Sequence, residues 1–201
     1  MKTLIIVDVQ NDFMPGGTLE VPGSGEIVMV INDLMDKFDL IVATQDWHPR
    51  NHKSFASTHF GKEPMDKIDL DGIEQVLWPD HCVQGTEGAD FHPDLATKKI
   101  EAIIRKGTDP EIDSYSGFYD NNHEKSTGLA GYLREKGCME LYFCGLASDI
   151  CVFYTIKDAV EEGFSAKFIQ DASSPLDQTN FVAIQNELHK MEVEILDSSE
   201  V

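Results

Sequence analysis

The chain is poor in cysteine, and its four residues, Cys82, Cys138, Cys144 and Cys151, include no C-x-x-C pair. That spacing excludes a zinc ribbon and a thioredoxin-like motif, and in a reducing compartment such cysteines are free thiols. Basic residues are scarce too, 16 Lys and Arg against 36 Asp and Glu, for a formal net charge of −20. This balance repels phosphate backbones and anionic headgroups, so nucleic acid and membrane surfaces are poor partners and a neutral small molecule is the easier ligand. A long apolar run is also missing. The opening MKTLIIVDVQ is interrupted by Asp8 too early for a signal-peptide core or a spanning helix, and the reading is a cytoplasmic protein. Repeats, low-complexity tracts and Ser/Gly-rich linkers are absent.

What remains is enough for one covered core: 201 residues, 41% hydrophobic, read as one domain over 1–201. Short apolar runs lie at 3–9, 40–46, 101–107, 139–146, 166–172 and 193–196. Helical patterns fall at about 25–38, 126–137, 150–163 and 178–191. Buried-type strands alternating with helices predict an α/β fold: a doubly wound, Rossmann-like three-layer sandwich with a parallel sheet of about six strands and helices on both faces. Two long connections, 46–100 and 107–125, carry histidines, aromatics and glycines. Loops of that length in a compact domain are functional or disordered, and their aromatic content argues against disorder.

Four apolar runs end in a polar or reactive residue: Asp8, Asp46, Lys106 and the loop leading to Cys151. In an open parallel sheet the carboxyl ends of the strands share one edge, where ligands bind, so one pocket can collect all four. Cys151 falls in the first turn of the helix after Gly145, with Ser148 or Asp149 placed to cap it. A helix N-terminus and a nearby lysine favour thiolate, and a carboxylate such as Asp8 can carry the thiol proton to a leaving group. Taken alone, each residue has a plainer role: Cys151 packing, Asp8 in a turn, Lys106 solvated. Cys144 and Cys138 read as packing residues of a strand and its approach.

A second cluster is QDWHPRNH at 45–52, followed by WPDHCVQG at 78–85. Asp46 and His48 alternate at a strand end and can face one way, and His81 is the chosen third ligand of an open Asp/His/His metal site. Other histidines compete for that place, and His52 is read as a partner of a ligand.

The segments IIVDVQNDFMPGGTL, TQDWHPRNHKSF, WPDHCVQGTEGADFHPDL, RKGTDPEIDSYSGF and CGLASDICVFYTIKDA together resemble the nicotinamidases of the isochorismatase-like cysteine hydrolases, over nearly the whole chain. The resemblance implies hydrolysis of nicotinamide to nicotinate and ammonia through a cysteine thioester, in NAD salvage, with pyrazinamide as a further substrate. It implies a catalytic triad of Asp8, Lys106 and Cys151, and an oxyanion hole from the backbone N–H groups of Ala147 and Cys151, with a cis bond between Leu146 and Ala147. Asp46, His48 and His81 then hold one divalent metal that binds the pyridine nitrogen, zinc first and iron or manganese as alternatives. Phe13, Trp78 and Tyr115 flank the ring, and Ser54 stands where some relatives have a further ligand histidine. Association into a homo-oligomer is left open.

Two other functions deserve comparison. A carbamoyl or ureido amidohydrolase of the same superfamily has no evident use for a metal that seizes a pyridine nitrogen, and an isochorismatase lacks these ligands. A noncatalytic metal-binding module with Cys151 as a redox-sensing thiol does not require Asp8 and Lys106 at neighbouring strand ends.

Overall fold

A computed structural model describes residues 1–70 and 72–201. Its strands are β1 (Lys2–Val7), β2 (Leu40–Asp46), β3 (Lys67–Leu70), β4 (Ile73–Val76), β5 (Ala102–Lys106), β6 (Glu140–Leu146), β7 (Ser165–Ser174) and β8 (Glu194–Leu196). The helices are α1 (Ser24–Met35), α2 (Leu129–Glu135), α3 (Cys151–Glu161) and α4 (Gln178–Lys190). Six strands form one sheet in the order β5-β2-β1-β6-β7-β8, and every neighbouring pair in it is parallel. The predicted α/β doubly wound sheet is therefore present.

Central strands covered on both faces must be apolar throughout, which is why β1 and β2 read as continuous runs. Successive side chains point to opposite faces. Leu4, Ile6, Ala43 and Cys144 pack with Ile27, Ile31 and Leu34 of α1. Ile5, Val7, Val42 and Phe143 pack on the other face with residues of α2, α3 and α4, among them Leu133, Val152, Ile156 and Leu188. Each fully buried aliphatic side chain of this kind contributes ~1.5–3 kcal/mol. Cys144 and Cys138 are wholly buried in these two layers, as their packing reading requires.

From β1 the chain runs outward through β2 to β5 on one side and through β6 to β8 on the other. The switch between directions lies at β1 and β6, where an open α/β sheet leaves its crevice. The long 46–100 connection is not all loop, because it holds the antiparallel hairpin β3–β4. Short strands alternating charged and apolar residues, KIDL and IEQV, give too weak a period to be told from loop. No helix among the described residues is long and apolar enough to cross a membrane.

Candidate active site

The sheet topology sets the predicted polar residues side by side. Asp46 and Lys106 end adjacent strands β2 and β5 and are direct partners in register. Asp8 follows β1 immediately, with φ 49°, a left-handed conformation that aspartate tolerates better than most side chains. The next strand over, β6, feeds the turn to Cys151, the first residue of α3.

Lys106 is the hub. Its Nζ lies 2.9 Å from Asp8 Oδ2, 3.0 Å from Asp46 Oδ1, 2.9 Å from the Ser114 carbonyl oxygen and 3.5 Å from Cys151 Sγ. Asp8 Oδ1 accepts a 2.7 Å hydrogen bond from the Thr44 hydroxyl. Asp8, Lys106 and Cys151 are all buried. Burial acts against the Lys106 ammonium, but the Asp46 and Asp8 carboxylates outweigh it and hold its pKa well above the usual range. Burial pushes the Asp8 carboxyl up, with Lys106 opposing. Burial likewise lifts the Cys151 thiol well above its ordinary value, and Lys106 offsets this only in part. Lys106 acts on the sulfur in the direction read from the sequence, toward thiolate, while burial and the Asp8 and Asp46 carboxylates that share its ammonium oppose it.

The helix start also differs from expectation. Ile150 takes the N-cap place of α3 without a side-chain cap. Asp149 instead accepts hydrogen bonds from the backbone N–H groups of Leu176 and Asp177, tying down the approach to α4. The Leu146–Ala147 peptide is cis. The Ala147 carbonyl accepts from the N–H groups of Ile150 and Val152, while the N–H groups of Ala147 and Cys151 themselves donate to no backbone carbonyl among the described residues outside the regular ladders. Two N–H groups without a backbone acceptor, beside a thiol, form an arrangement that can receive an oxyanion. Gly145, with φ 115°, cannot be replaced here, because a Cβ would sit 2.1 Å from the Val7 carbonyl oxygen.

Asp46, His48 and His81 converge as predicted: their ligand atoms lie within 4.8 Å of one another, all from buried residues. Nδ1 of His48 lies 2.9 Å from the Gly107 carbonyl oxygen and Nδ1 of His81 lies 2.8 Å from that of Pro79. A carbonyl can only accept, so each Nδ1 carries the hydrogen and each Nε2 is turned to Asp46 Oδ2, at 3.0 and 3.4 Å. Burial opposes a charged His48, but the facing Asp46 carboxylate reverses this and raises it. His48 and Lys106 in turn overcome burial and hold Asp46 well below the usual carboxylate range. The point between these side chains favours positive charge, and this donor set fits a divalent cation. His52 has a different set of neighbours: its Nδ1 accepts from the Ser54 N–H at 3.1 Å and lies 2.7 Å from the Ser54 hydroxyl, and a ligand atom of its ring groups with those of His48 and Asp113. Burial and the neighbouring His48 push it down to about 4. Neither His52 nor Ser54 belongs to the Asp46, His48, His81 group.

Gly107 carries a consequence for this site. It has φ 63°, and a Cβ there would lie 2.4 Å from His48 Cε1. Gly107→Ala is expected to displace the His48 ring and weaken metal binding by roughly 10- to 100-fold, the cost typical of a lost supporting contact. Zinc titration of the folded variant measures it, and unchanged affinity would contradict the role of the Gly107 carbonyl.

Phe13, Trp78 and Tyr115 line one pocket with Asp46, His81 and Cys151. Ala147, Ile150 and Leu176 add to its wall, and so does Asp113. Sequence reasoning missed Asp113, Thr44 and Gln10. Gln10 accepts from the Asp46 N–H at 2.7 Å and donates to the Asp46 carbonyl at 2.8 Å. Its position two residues after Asp8 in VDVQ was the only available signal.

Compared with known proteins, the chain matches the isochorismatase domain family over residues 2–200. It is 52% identical over 174 residues to a nicotinamidase of Acinetobacter baylyi, covering 87% of this chain and 81% of that protein. Among solved structures, a nicotinamidase/pyrazinamidase of Acinetobacter baumanii superposes with a TM-score of 0.96 at 45% identity, covering 99% of this chain and 97% of the other. The pyrazinamidase of Pyrococcus horikoshii in complex with zinc superposes with a TM-score of 0.81 at 37% identity, covering 98% of each chain.

Proposed function

This chain belongs to the isochorismatase domain family, and from that premise we propose that it hydrolyses nicotinamide to nicotinate and ammonia through a thioester on Cys151. The observation that supports this best is the Lys106 ammonium, which touches Asp8, Asp46 and Cys151 at once and so joins a nucleophile, a proton carrier and a cation-binding group at one buried point.

The ring sits among Phe13, Trp78 and Tyr115. Asp46, His48 and His81 would hold a divalent ion, zinc by the likeness to the Pyrococcus structure, and when bound it supplies a Lewis-acidic contact for the pyridine nitrogen. With the ring so placed, the carboxamide lies over Cys151. Sγ adds to the amide carbon as Asp8 takes the thiol proton, and the oxyanion forms against the N–H groups of Ala147 and Cys151. Asp8 returns the proton to the nitrogen, the C–N bond breaks, and ammonia leaves. Water then adds to the thioester with Asp8 as base, and nicotinate departs as the thiol is restored. Lys106 keeps Asp8 ionised until it takes that proton.

The same reading takes 1–201 as one domain working in the cytoplasm on a small molecule. The excess of acidic residues supports this against a nucleic-acid or membrane partner. A coupled ammonia assay across nicotinamide, pyrazinamide and a ureido substrate tests it: turnover is expected on the first two and none on the third, and the reverse ranking would sink the reading. Dialysis against a strong chelator is expected to raise KM sharply or abolish turnover, with zinc restoring it. Full activity in metal-free protein would remove the ion from the account.

A further inference from the structure

The hairpin β3–β4 has one buried residue among its two strands, Gln75, while the rest of β3 and β4 is exposed or half-buried. A glutamine buried to 2% exposure within an otherwise solvated hairpin, opposite Ile68, needs partners for its amide. Gln75 Nε2, with two hydrogens to donate, lies within hydrogen-bond distance of three acceptors: the Val76 carbonyl at 2.7 Å, Asp113 Oδ2 at 3.1 Å and the Tyr115 hydroxyl oxygen at 3.3 Å. Asp113 and Tyr115 both line the pocket that holds Cys151.

These contacts continue into the walls of that pocket. Asp113 Oδ1 accepts from the Ser114 N–H at 2.8 Å, and the Ser114 carbonyl is one of the four groups around Lys106. The Tyr115 ring meets Trp78 edge-on at 6.3 Å between centroids. Burial first, and the Asp113 charge next, push the Tyr115 phenol up, so it stays a neutral hydroxyl. One amide from the hairpin therefore fixes a carboxylate and an aromatic ring on the same side of the pocket.

We infer that Gln75 is a specificity-determining positioning residue: by holding Asp113 and Tyr115 together it fixes the wall of the ring pocket and limits the ring substituents that fit. This rests on reading the pocket as the nicotinamide site. Without the amide donor, the Tyr115 ring and the Asp113 carboxylate lose a shared buried partner and the wall loosens, while Cys151, Asp8 and the two backbone donors keep their places.

Gln75→Met keeps the side-chain volume and removes the donor. It is expected to raise KM for nicotinamide roughly tenfold, the scale of one or two buried hydrogen bonds, while leaving kcat nearly unchanged. The preference for nicotinamide over a 5-alkyl nicotinamide, as a ratio of kcat/KM, falls by a similar factor. Tyr115→Phe should reproduce the loss of preference, with little further change in the double variant, and it serves alone if Gln75→Met does not fold. A second arm needs no turnover. Cys151 is 8% exposed whereas the other three cysteines are at 0%, so alkylation reports on this pocket, and the rate ratio of N-phenylmaleimide to iodoacetamide should rise in both variants. If wild-type protein leaves nicotinamide untouched, the proposed reaction fails and the alkylation ratio still decides the role of Gln75. An unchanged ratio in both arms, or an equal loss on both amides, overturns the inference.

Discussion

Replacing Cys151 by alanine is expected to abolish ammonia release from nicotinamide, with turnover down by ~10⁴ or more, as for other nucleophiles that act as one unit with their proton carrier. The magnitude follows from what is lost. Without the sulfur no thioester forms, and the two backbone donors have no intermediate to stabilise. Cys144 provides the contrast. It lies only seven residues earlier, is wholly buried in β6, and burial, then the Asp171 charge, push its thiol up. Cys144→Ala should keep kcat and cost only the ~1 kcal/mol or so of a small core deletion. Steady-state ammonia assays on both variants, with urea unfolding alongside, measure the difference. If the two variants lost activity equally, the sulfur of Cys151 would have no special place.

Lys106→Met carries the second large effect, on activity and stability together. The ammonium contacts Asp8 and Asp46 at 2.9 and 3.0 Å with both carboxylates buried. Its removal leaves two buried negative charges without their counter-ion, and breaking such a pairing costs ~3–5 kcal/mol. Turnover should fall by ~10² to 10³, the scale of one lost electrostatic contact at a reacting centre, because Asp8 then resists ionisation and the Cys151 thiol loses the one charge that favours its deprotonation. Lys106→Arg should not rescue it. A planar guanidinium on a bulkier head cannot take the place of a compact ammonium enclosed by four contacts at 3.5 Å or less. Activity assays with chemical denaturation check both halves, and a stable, active Lys106→Met would contradict the hub role.

The strand ends made much of this site legible. Asp8, Asp46 and Lys106 stand out because a polar residue ending an apolar run in a parallel sheet has only one edge to occupy, and the sheet places them on three consecutive strands. Other features could not be read in advance, because they depend on burial and distant pairings. The balance at Cys151 is set by how deeply it lies relative to Lys106, and periodicity does not report depth. The ring orientations of His48 and His81 are fixed by the carbonyls of Gly107 and Pro79, and a backbone acceptor leaves no residue-type signal. Asp149 resembled a cap for the helix it precedes, yet it serves the approach to α4, 27 residues on. Gln75 was hidden for the same reason as its hairpin: four-residue strands of mixed polarity look like loop, and only the fold shows which amide turns inward.

The thioester itself gives the most direct test. Wild-type protein mixed with nicotinamide, quenched in acid within the first turnovers and digested should yield the Cys151 peptide carrying a nicotinoyl group, with the peptides of Cys82, Cys138 and Cys144 unmodified. Hydroxylamine added during turnover should divert product to the hydroxamate. Sustained ammonia release with no acyl group on Cys151 under either condition would contradict nucleophilic catalysis by this residue.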